Sequence, residues 1–445
     1  MDEFEDAFRT GLRRINDLDS PVPSLDAESL TAAPVPARGR WRRTWLTAAV
    51  FVVVAGVAIG SWIVSRSPYR AVPAGPPATE TTPTPTVAPN VPATRTWTKI
   101  AAGPLSPRWE ASGVWVDGRF LVVGGHDDFM CPPNADCILP ELLTDGARYD
   151  PATDTWTTIA PMPWPVIVQS TASVGTSAYF SGWRPGNSEQ GWLVRYDTTT
   201  DQWSTHALPG PAGQLIAAGD RVLVIANTNG ANMGHDLVFD SVTGTFTPLP
   251  DDPIGGHSRG AVWLGDRLLL AAISGTGGRV EGAPVARLAE LDGTLTTWRD
   301  LGPTEVIGWN PVFARDRVVW PGVGSADGGE NRNWGRSYPY GRILDPSTGA
   351  WTNLPTLGDQ GGLPLTSPHG GLNGSIYPLV VAGHVSVNGH LLDPVTLEWT
   401  TVPHLPGGER PGAAFFDSPD AILTWGGGDY GSPTADGYLL RVAPS

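Results

Sequence analysis

The chain has 445 residues and a formal net charge of −15, with 55 Gly, 44 Pro, 19 Trp and only 16% charged side chains. Its length admits one large repeat domain with accessory segments, and its Gly, Pro and Trp content describes many short strands joined by turns. The acidic balance opposes phosphate backbones and excludes nucleic acid as a partner.

Residues 1–43 carry seven Arg and eight Asp/Glu. Phe4, Phe8, Leu12 and Ile15 recur at helical spacing, so residues 3–17 suit a short amphipathic helix within a cytoplasmic tail. Residues 44–65 contain no charge and are bounded by Arg43 and Arg66. About 20 helical residues rise about 30 Å, the thickness of the hydrocarbon core, which predicts a transmembrane helix. Trp41, Trp45 and Trp62 stand where interfacial aromatics belong. Arg38, Arg40, Arg42 and Arg43 precede the span and only Arg66 and Arg70 closely follow it. The positive-inside rule then places the N-terminus in the cytoplasm and the remainder outside, in a single-pass protein of the cell membrane. The long stretch before the span and the length of the apolar run favour an uncleaved signal anchor over a signal peptide.

Residues 66–93 form an extracytoplasmic linker. Between Ser67 and Ala93 stand eight prolines and five threonines with almost no large apolar side chain. Such a segment cannot bury enough surface to fold, and favours extended geometry at about 3.1 Å per residue.

From residue 94 to 445 the chain repeats. Asp, five residues, then Trp or Phe recurs at Asp150–Trp156, Asp197–Trp203, Asp240–Phe246, Asp292–Trp298, Asp345–Trp351 and Asp393–Trp399. A unit of 40–50 residues signals propeller blades or a solenoid. Each unit reads as four short strands, shown by Ala111–Val116, Arg119–Gly125, Gly146–Asp150 and Thr155–Ala160. In the Asp-to-Trp turn, Asp accepts bonds from turn amides and the fifth residue takes a left-handed conformation. That fifth residue is Asp154, Asp201, Gly244, Thr296, Gly349 or Leu397. The Trp that follows is expected to lie between neighbouring blades.

These residues resemble the kelch-repeat family, of the galactose oxidase central-domain kind and a membrane-anchored actinobacterial type. Gly124-Gly125, Tyr149-Asp150-Pro-Ala-Thr153-Asp-Thr-Trp156 and Pro161-Met-Pro163 carry the likeness most closely, and Tyr196–Trp203, Leu344–Trp351 and Leu392–Trp399 also fit. Units two to five lack the diglycine, and Leu295 replaces the Thr in unit four. The resemblance implies an all-β fold. Seven first-and-second-strand pairs but only six complete turns, with an orphan Trp97 strand at residues 94–101, predict a seven-bladed ring closed by that N-terminal strand.

The resemblance also places the connections from second to third strand on one face with the blade-to-blade connections. Two are long, Gly125–Gly146 and Gly322–Gly341, and long loops on a rigid ring carry binding residues. Cys131 and Cys137 are the only cysteines. Export favours a disulfide between them, with a metal pair or free thiols as alternatives. Asp327, Glu330, Asn331 and Arg332 beside Trp334, Tyr338 and Tyr340 suit a sugar or a peptide, and His126, His257, His369 and His384 are expected on the same face. No metal-ligand spacing or cofactor motif is present, and none is expected. Some propellers of this kind are enzymes, including copper oxidases of sugars, but no catalytic residue emerges. The expectation is a membrane-anchored extracytoplasmic binding module for a glycan, peptide or protein. The alternatives are a carbohydrate-active enzyme, or a sensor or scaffold signalling through the tail.

Overall fold

A computed structural model describes residues 96–128, 140–226, 235–273, 286–304, 306, 311–321, 341–355, 367–369, 375–387, 389–429 and 432–442. The tail, the predicted span and the linker lie outside these residues. Among the described residues no helix is long and apolar enough to cross a membrane.

The fold is a seven-bladed all-β propeller, with seven four-stranded antiparallel sheets among the described residues. Blade one is Ser112–Val116, Arg119–Val123, Gly146–Asp150 and Thr155–Thr158, and blade two is Ile167–Val174, Ser177–Arg184, Asn187–Asp197 and Gln202–Ala207. Blade three is Gly213–Ala218, Arg221–Ala226, Leu237–Asp240 and Thr245–Pro248. Blade four is His257–Trp263, Leu268–Ile273, Ala286–Leu291 and Trp298–Thr304. Blade five is Val312–Ala314, Arg317–Trp320, Arg342–Asp345 and Ala350–Asn353, and blade six is Val380–Val381, His384–Val387, His390–Leu392 and Trp399–Thr401. Blade seven joins Ala414–Asp417, Ala421–Trp425 and Gly437–Arg441 to the N-terminal Thr98–Lys99. Thr98 pairs with Leu439 and Lys99 with Tyr438, so the two ends of the ring share one sheet. First strands of successive blades lie side by side from blade seven round through blade six and therefore line the axis.

Every sheet is covered on both faces, which explains why the second strands read as unbroken apolar runs such as Phe120-Leu-Val-Val123. Each of the seven blade interfaces holds its own apolar cluster. Phe120, Tyr149, Trp425 and Leu439 fill the seven–one interface, and Trp97, Leu391, Phe415 and Tyr438 fill the six–seven interface. The core is thus a circle of seven small cores around the axis.

Polar latches repeat with the sheets. Trp156 Nε1 donates to Ala101 O at 3.0 Å, Trp203 to Ala160 O at 2.7 Å and Trp298 to Pro250 O at 2.8 Å. Each carbonyl belongs to the preceding blade or its exit. Trp97 does the same for blade seven, donating to Pro403 O of blade six at 2.7 Å. A second series runs the other way, onto the carbonyl that follows four of the six turn aspartates. Arg441 donates to Pro151 O, Arg148 to Thr198 O, Arg195 to Ser241 O and Arg267 to Pro346 O, at 2.9–3.3 Å.

The Asp-to-Trp turns have the expected chemistry. Asp150 Oδ1 accepts from Ala152 N at 2.9 Å, and Asp240 Oδ1 from Val242 N at 2.8 Å. Positive φ falls at Asp154, Asp201, Gly244, Gly349 and Leu397. Unit four departs from the expectation, because Leu295 rather than Thr296 is left-handed, at φ 61°. There Leu295 N bonds Asp292 O directly, so the turn is one residue tighter than its siblings and Leu295 is tucked into the three–four interface. Asp154 and Asp201 also do more than tolerate their conformation. Asp154 accepts from Ala101 N and from the Tyr149 hydroxyl, and Asp201 from Ala160 N and the Tyr196 hydroxyl. Burial and these carboxylates push both phenols far above their usual range.

One element was not foreseen. Ser367–His369 pairs with Ser375–Tyr377 as a separate hairpin between blades five and six. Its first strand lies beside the first strands of blades two and seven, so its backbone reaches inward across the ring.

Candidate binding face

In a four-stranded up-and-down blade, the second-to-third connection and the exit to the next blade emerge at one end, while the first hairpin and the Asp-to-Trp turn emerge at the other. The antiparallel registers impose this arrangement on every blade here. The loop face is therefore defined, and the Asp turns belong to the opposite face.

Of the residues expected to bind, Asp327, Glu330, Asn331, Arg332, Trp334, Tyr338 and Tyr340 lie outside the described residues, as do Cys131 and Cys137. His126 is described. It follows the blade-one diglycine and pairs its backbone with Trp109, through Trp109 N to His126 O at 2.9 Å and His126 N to Trp109 O at 3.0 Å. Gly125, at φ 82°, permits this approach, because a Cβ there would stand 2.5 Å from Trp109 O. The imidazole is only 3% exposed, with Nε2 3.6 Å from the Glu110 carboxylate and Nδ1 without a hydrogen-bond partner. His126 thus sits beneath the face rather than on it.

The other histidines do not converge as expected. His257 opens the first strand of blade four at the loop-face end. His369 belongs to the inward hairpin. His384 stands at the opposite end, because Ala382 and Gly383 form a two-residue turn with positive φ that reverses the chain before it. Its Nδ1 lies 3.1 Å from Ala382 O. Among the described residues no group of three or more His, Cys, Asp or Glu is placed to hold a metal ion.

Two buried arginines on the loop-face side are committed to structure through their terminal nitrogens. Arg108 donates to Gly124 O, Ser106 O, the Ser106 hydroxyl and both oxygens of Asp145, at 2.6–3.0 Å. The Arg108 hydrogen bonds hold the Asp145 carboxyl below its usual range. Arg259, 2% exposed at its side chain, binds Asp236 at 2.6 Å and Asp252 at 2.9 Å. Burial disfavours its charge, but these two carboxylates hold it more firmly protonated than usual.

Blade two presents a different arrangement. Its second and third strands run on to a tip at Pro185-Gly186, where Gly186 takes φ 79°. The register shifts past Trp183, so Arg184 faces Asn187 and residues 188–190 bulge outward. The Gln190 amide ties this bulge down by donating to Gly191 O at 2.9 Å and Leu208 O at 2.8 Å. Trp164 arrives from the connection between blades one and two. Trp164, Trp183 and Trp192 are half-buried. Trp164 and Trp192 meet edge to face, with ring centroids 5.2 Å apart. Arg184 is exposed and lies over both, its guanidinium carbon 3.9 Å from one ring centre and 4.9 Å from the other. The sequence carried a signal for this platform that the repeat pattern hid. Unit two has lost its diglycine and carries Trp-Arg-Pro-Gly in the corresponding stretch, with Trp192 nine residues beyond Trp183.

A family model described as "Kelch motif" matches residues 110–163. The chain is 26% identical over 174 residues to "Kelch repeat and BTB domain-containing protein 13" of Homo sapiens, covering 38% of this chain and 34% of that protein. It is 29% identical over 112 residues to "Kelch-like protein 7" of Rattus norvegicus, covering 25% and 17%. It is 27% identical over 256 residues to "Kelch-like protein terF" of Aspergillus terreus, covering 53% of each chain. The chain thus spans about half or less of the length of these relatives. A solved structure described as "Structure of YjhT" matches 77% of this chain and 99% of its own, at 16% identity and a TM-score of 0.41. The motif and the kelch-like relatives support a kelch-repeat β-propeller.

Proposed function

We propose that this kelch-repeat propeller is a binding module whose loop face receives a protein ligand. Kelch propellers typically mediate protein binding. The observation that carries the reading is the blade-two platform, where Trp164 and Trp192 pack against the one–two core cluster yet stay partly accessible beneath the exposed Arg184, a pairing of aromatic and arginine side chains that binding sites favour. The second-to-third-strand connections of blades one and five leave their described strands at that same end, and Asp327, Glu330, Asn331, Arg332, Trp334, Tyr338 and Tyr340 are proposed as further ligand residues. A glycan is the second reading, because indole faces also stack on sugar rings.

The module is held at the extracytoplasmic side of a membrane by the uncharged segment 44–65, with residues 1–43 in the cytoplasm. The arginine asymmetry around that segment supports this orientation. Cys131 and Cys137 staple the blade-one loop in that oxidising compartment.

A photo-crosslinking residue placed at Asn187, on the loop face, should trap a partner protein in cells, and excess unmodified chain should compete the adduct away. The same residue at Thr296, in an Asp turn of the opposite face, should trap none. Competable adducts from Thr296 alone would assign binding to the wrong face and end this reading.

A further inference from the structure

We infer that the blade-two platform is a carboxylate-recognition site, with Arg184 as the anion receptor and the indoles of Trp164 and Trp192 as its support, and that its occupant is a short acidic segment of a partner protein. This inference rests on the binding-module reading and names the chemistry of one site within it.

Among the described residues, Arg184 is the one basic side chain, Lys or Arg, whose nitrogen atoms take part in no hydrogen bond and no ion pair. The others are committed: Arg119 to Asp150, Arg317 to Asp345, Arg441 to Asp420, and even exposed Lys99 to Asp436. In a chain of net charge −15, carboxylates are abundant, and an arginine without one is conspicuous. Glu189, on the same bulge, forms no ion pair with it.

The two rings give that cation a defined position. A guanidinium is weakly hydrated, so it stacks on an indole face without losing much solvation. Stacking on the nearer ring, Trp164, uses the face of the guanidinium and leaves its N–H donors, which lie in its plane, at the rim, while Trp192, tilted 69° from Trp164, flanks it at 4.9 Å. Those donors match the two oxygens of a carboxylate, the strong bidentate geometry. Because the rings already hold the side chain, little rotamer freedom remains to be lost on binding.

The charge balance also limits the occupant. A polyanion would be repelled by the acidic exterior as a whole. One or two carboxylates contacting Arg184 directly are governed by the local field, because screening at physiological salt acts within about 8 Å. A short acidic segment fits, and a nucleic acid or polyphosphate does not.

The test uses the full chain and an array of short peptides made in matched pairs, Asp/Glu against Asn/Gln. Acidic members should be retained and quench tryptophan fluorescence, their amide counterparts should not, and added salt should weaken the retention. Arg184→Gln should weaken retained acidic peptides by about tenfold to a hundredfold, the span expected for hydrogen bonds to a charged group. Arg184→Lys should restore only part of that loss, because it keeps the charge without the fork. Both variants should keep the parent melting temperature, since the platform rings remain packed. Acid and amide peptides bound alike, binding indifferent to Arg184→Gln, or no peptide retained at all would each overturn the inference. So would retention of uronic-acid oligosaccharides alone, lost on Arg184→Gln, which would give the site to an anionic glycan. A trapped partner at Asn187 combined with indifference to Arg184→Gln would leave the binding module standing and remove only this site.

Discussion

Asp292 shows how much one repeated residue contributes to this ring. Its carboxylate accepts from Thr296 N at 3.0 Å and from the Thr294 hydroxyl at 2.7 Å, and these bonds draw its pKa down to about 2. Asp197 is lowered by the Thr199 hydroxyl and turn amides, Asp240 by the Thr243 and Val242 amides, and Asp345 by the Ser347 hydroxyl and amide. A carboxyl held below its unfolded value of about 4 favours the fold at higher pH, and that contribution disappears as the pH falls through the folded value. The melting temperature should therefore drop steeply between about pH 4 and pH 2, with several turns acting together. Asp292→Asn, whose neutral amide oxygen can accept the same bonds but adds no charge, should flatten part of that slope by lowering stability at pH 7 while leaving stability at pH 2 nearly unchanged. Thermal melts followed by circular dichroism at stepped pH will show it, and a profile that stays flat in acid would refute the assignment. The role of these aspartates was legible in the sequence because an Asx turn is a local device. The interblade bonds of Asp154 and Asp201 were not, because their partners Ala101 and Ala160 stand 53 and 41 residues away.

At the scale of the element, the N-terminal strand decides whether the ring is closed. Thr98–Lys99 is only two residues long, yet it is flanked by buried Trp97 and Ile100, which enter the six–seven and seven–one clusters respectively. Trp97→Ala should cost about 3–5 kcal/mol, the range for removing a large buried aromatic. Trp97→Phe keeps most of the packing and loses the bond to Pro403 O, so it should cost about 1 kcal/mol more than repacking alone. Deleting residues 94–101 should broaden urea unfolding of the whole ring, because two blade interfaces lose side chains at once. A truncated chain with the parent midpoint and slope would show that the strand is ornamental. The orphan Trp97 segment was readable because a repeat with a missing member announces itself by counting. The hairpin Ser367–His369 with Ser375–Tyr377 was not, because it follows no repeat and its neighbours in blades two and seven are distant in sequence. His384 was misplaced for a related reason: the Ala382-Gly383 turn shortens blade six, and only the pairing register reveals on which end the histidine falls.

For the whole molecule, the prediction concerns topology in the cell. If residues 44–65 span the membrane as proposed, the full chain should stay in the membrane pellet after alkaline carbonate extraction. In cells stripped to expose the membrane's outer surface, protease should cut the Pro/Thr-rich segment and release the propeller, while the first 43 residues stay protected. Release of the full chain by carbonate, or cleavage only from the cytoplasmic side, would reverse the proposal.

By itself the sequence determined the periodic part of this protein: strand alternation, the Asp-to-Trp turns, seven units and a ring completed from its two ends. These follow from local chemistry repeated often enough to be counted, and from the need to cover every sheet edge and face. Only the tertiary structure decided which residues share a surface. Trp164, Arg184 and Trp192 come from a blade connection and two strands, and nothing in their spacing says that one cation lies over two rings and is left without a carboxylate. Side-chain neighbourhood across blades depends on sheet register and on the packing of one sheet against the next, which are non-local quantities that no short window of residues contains.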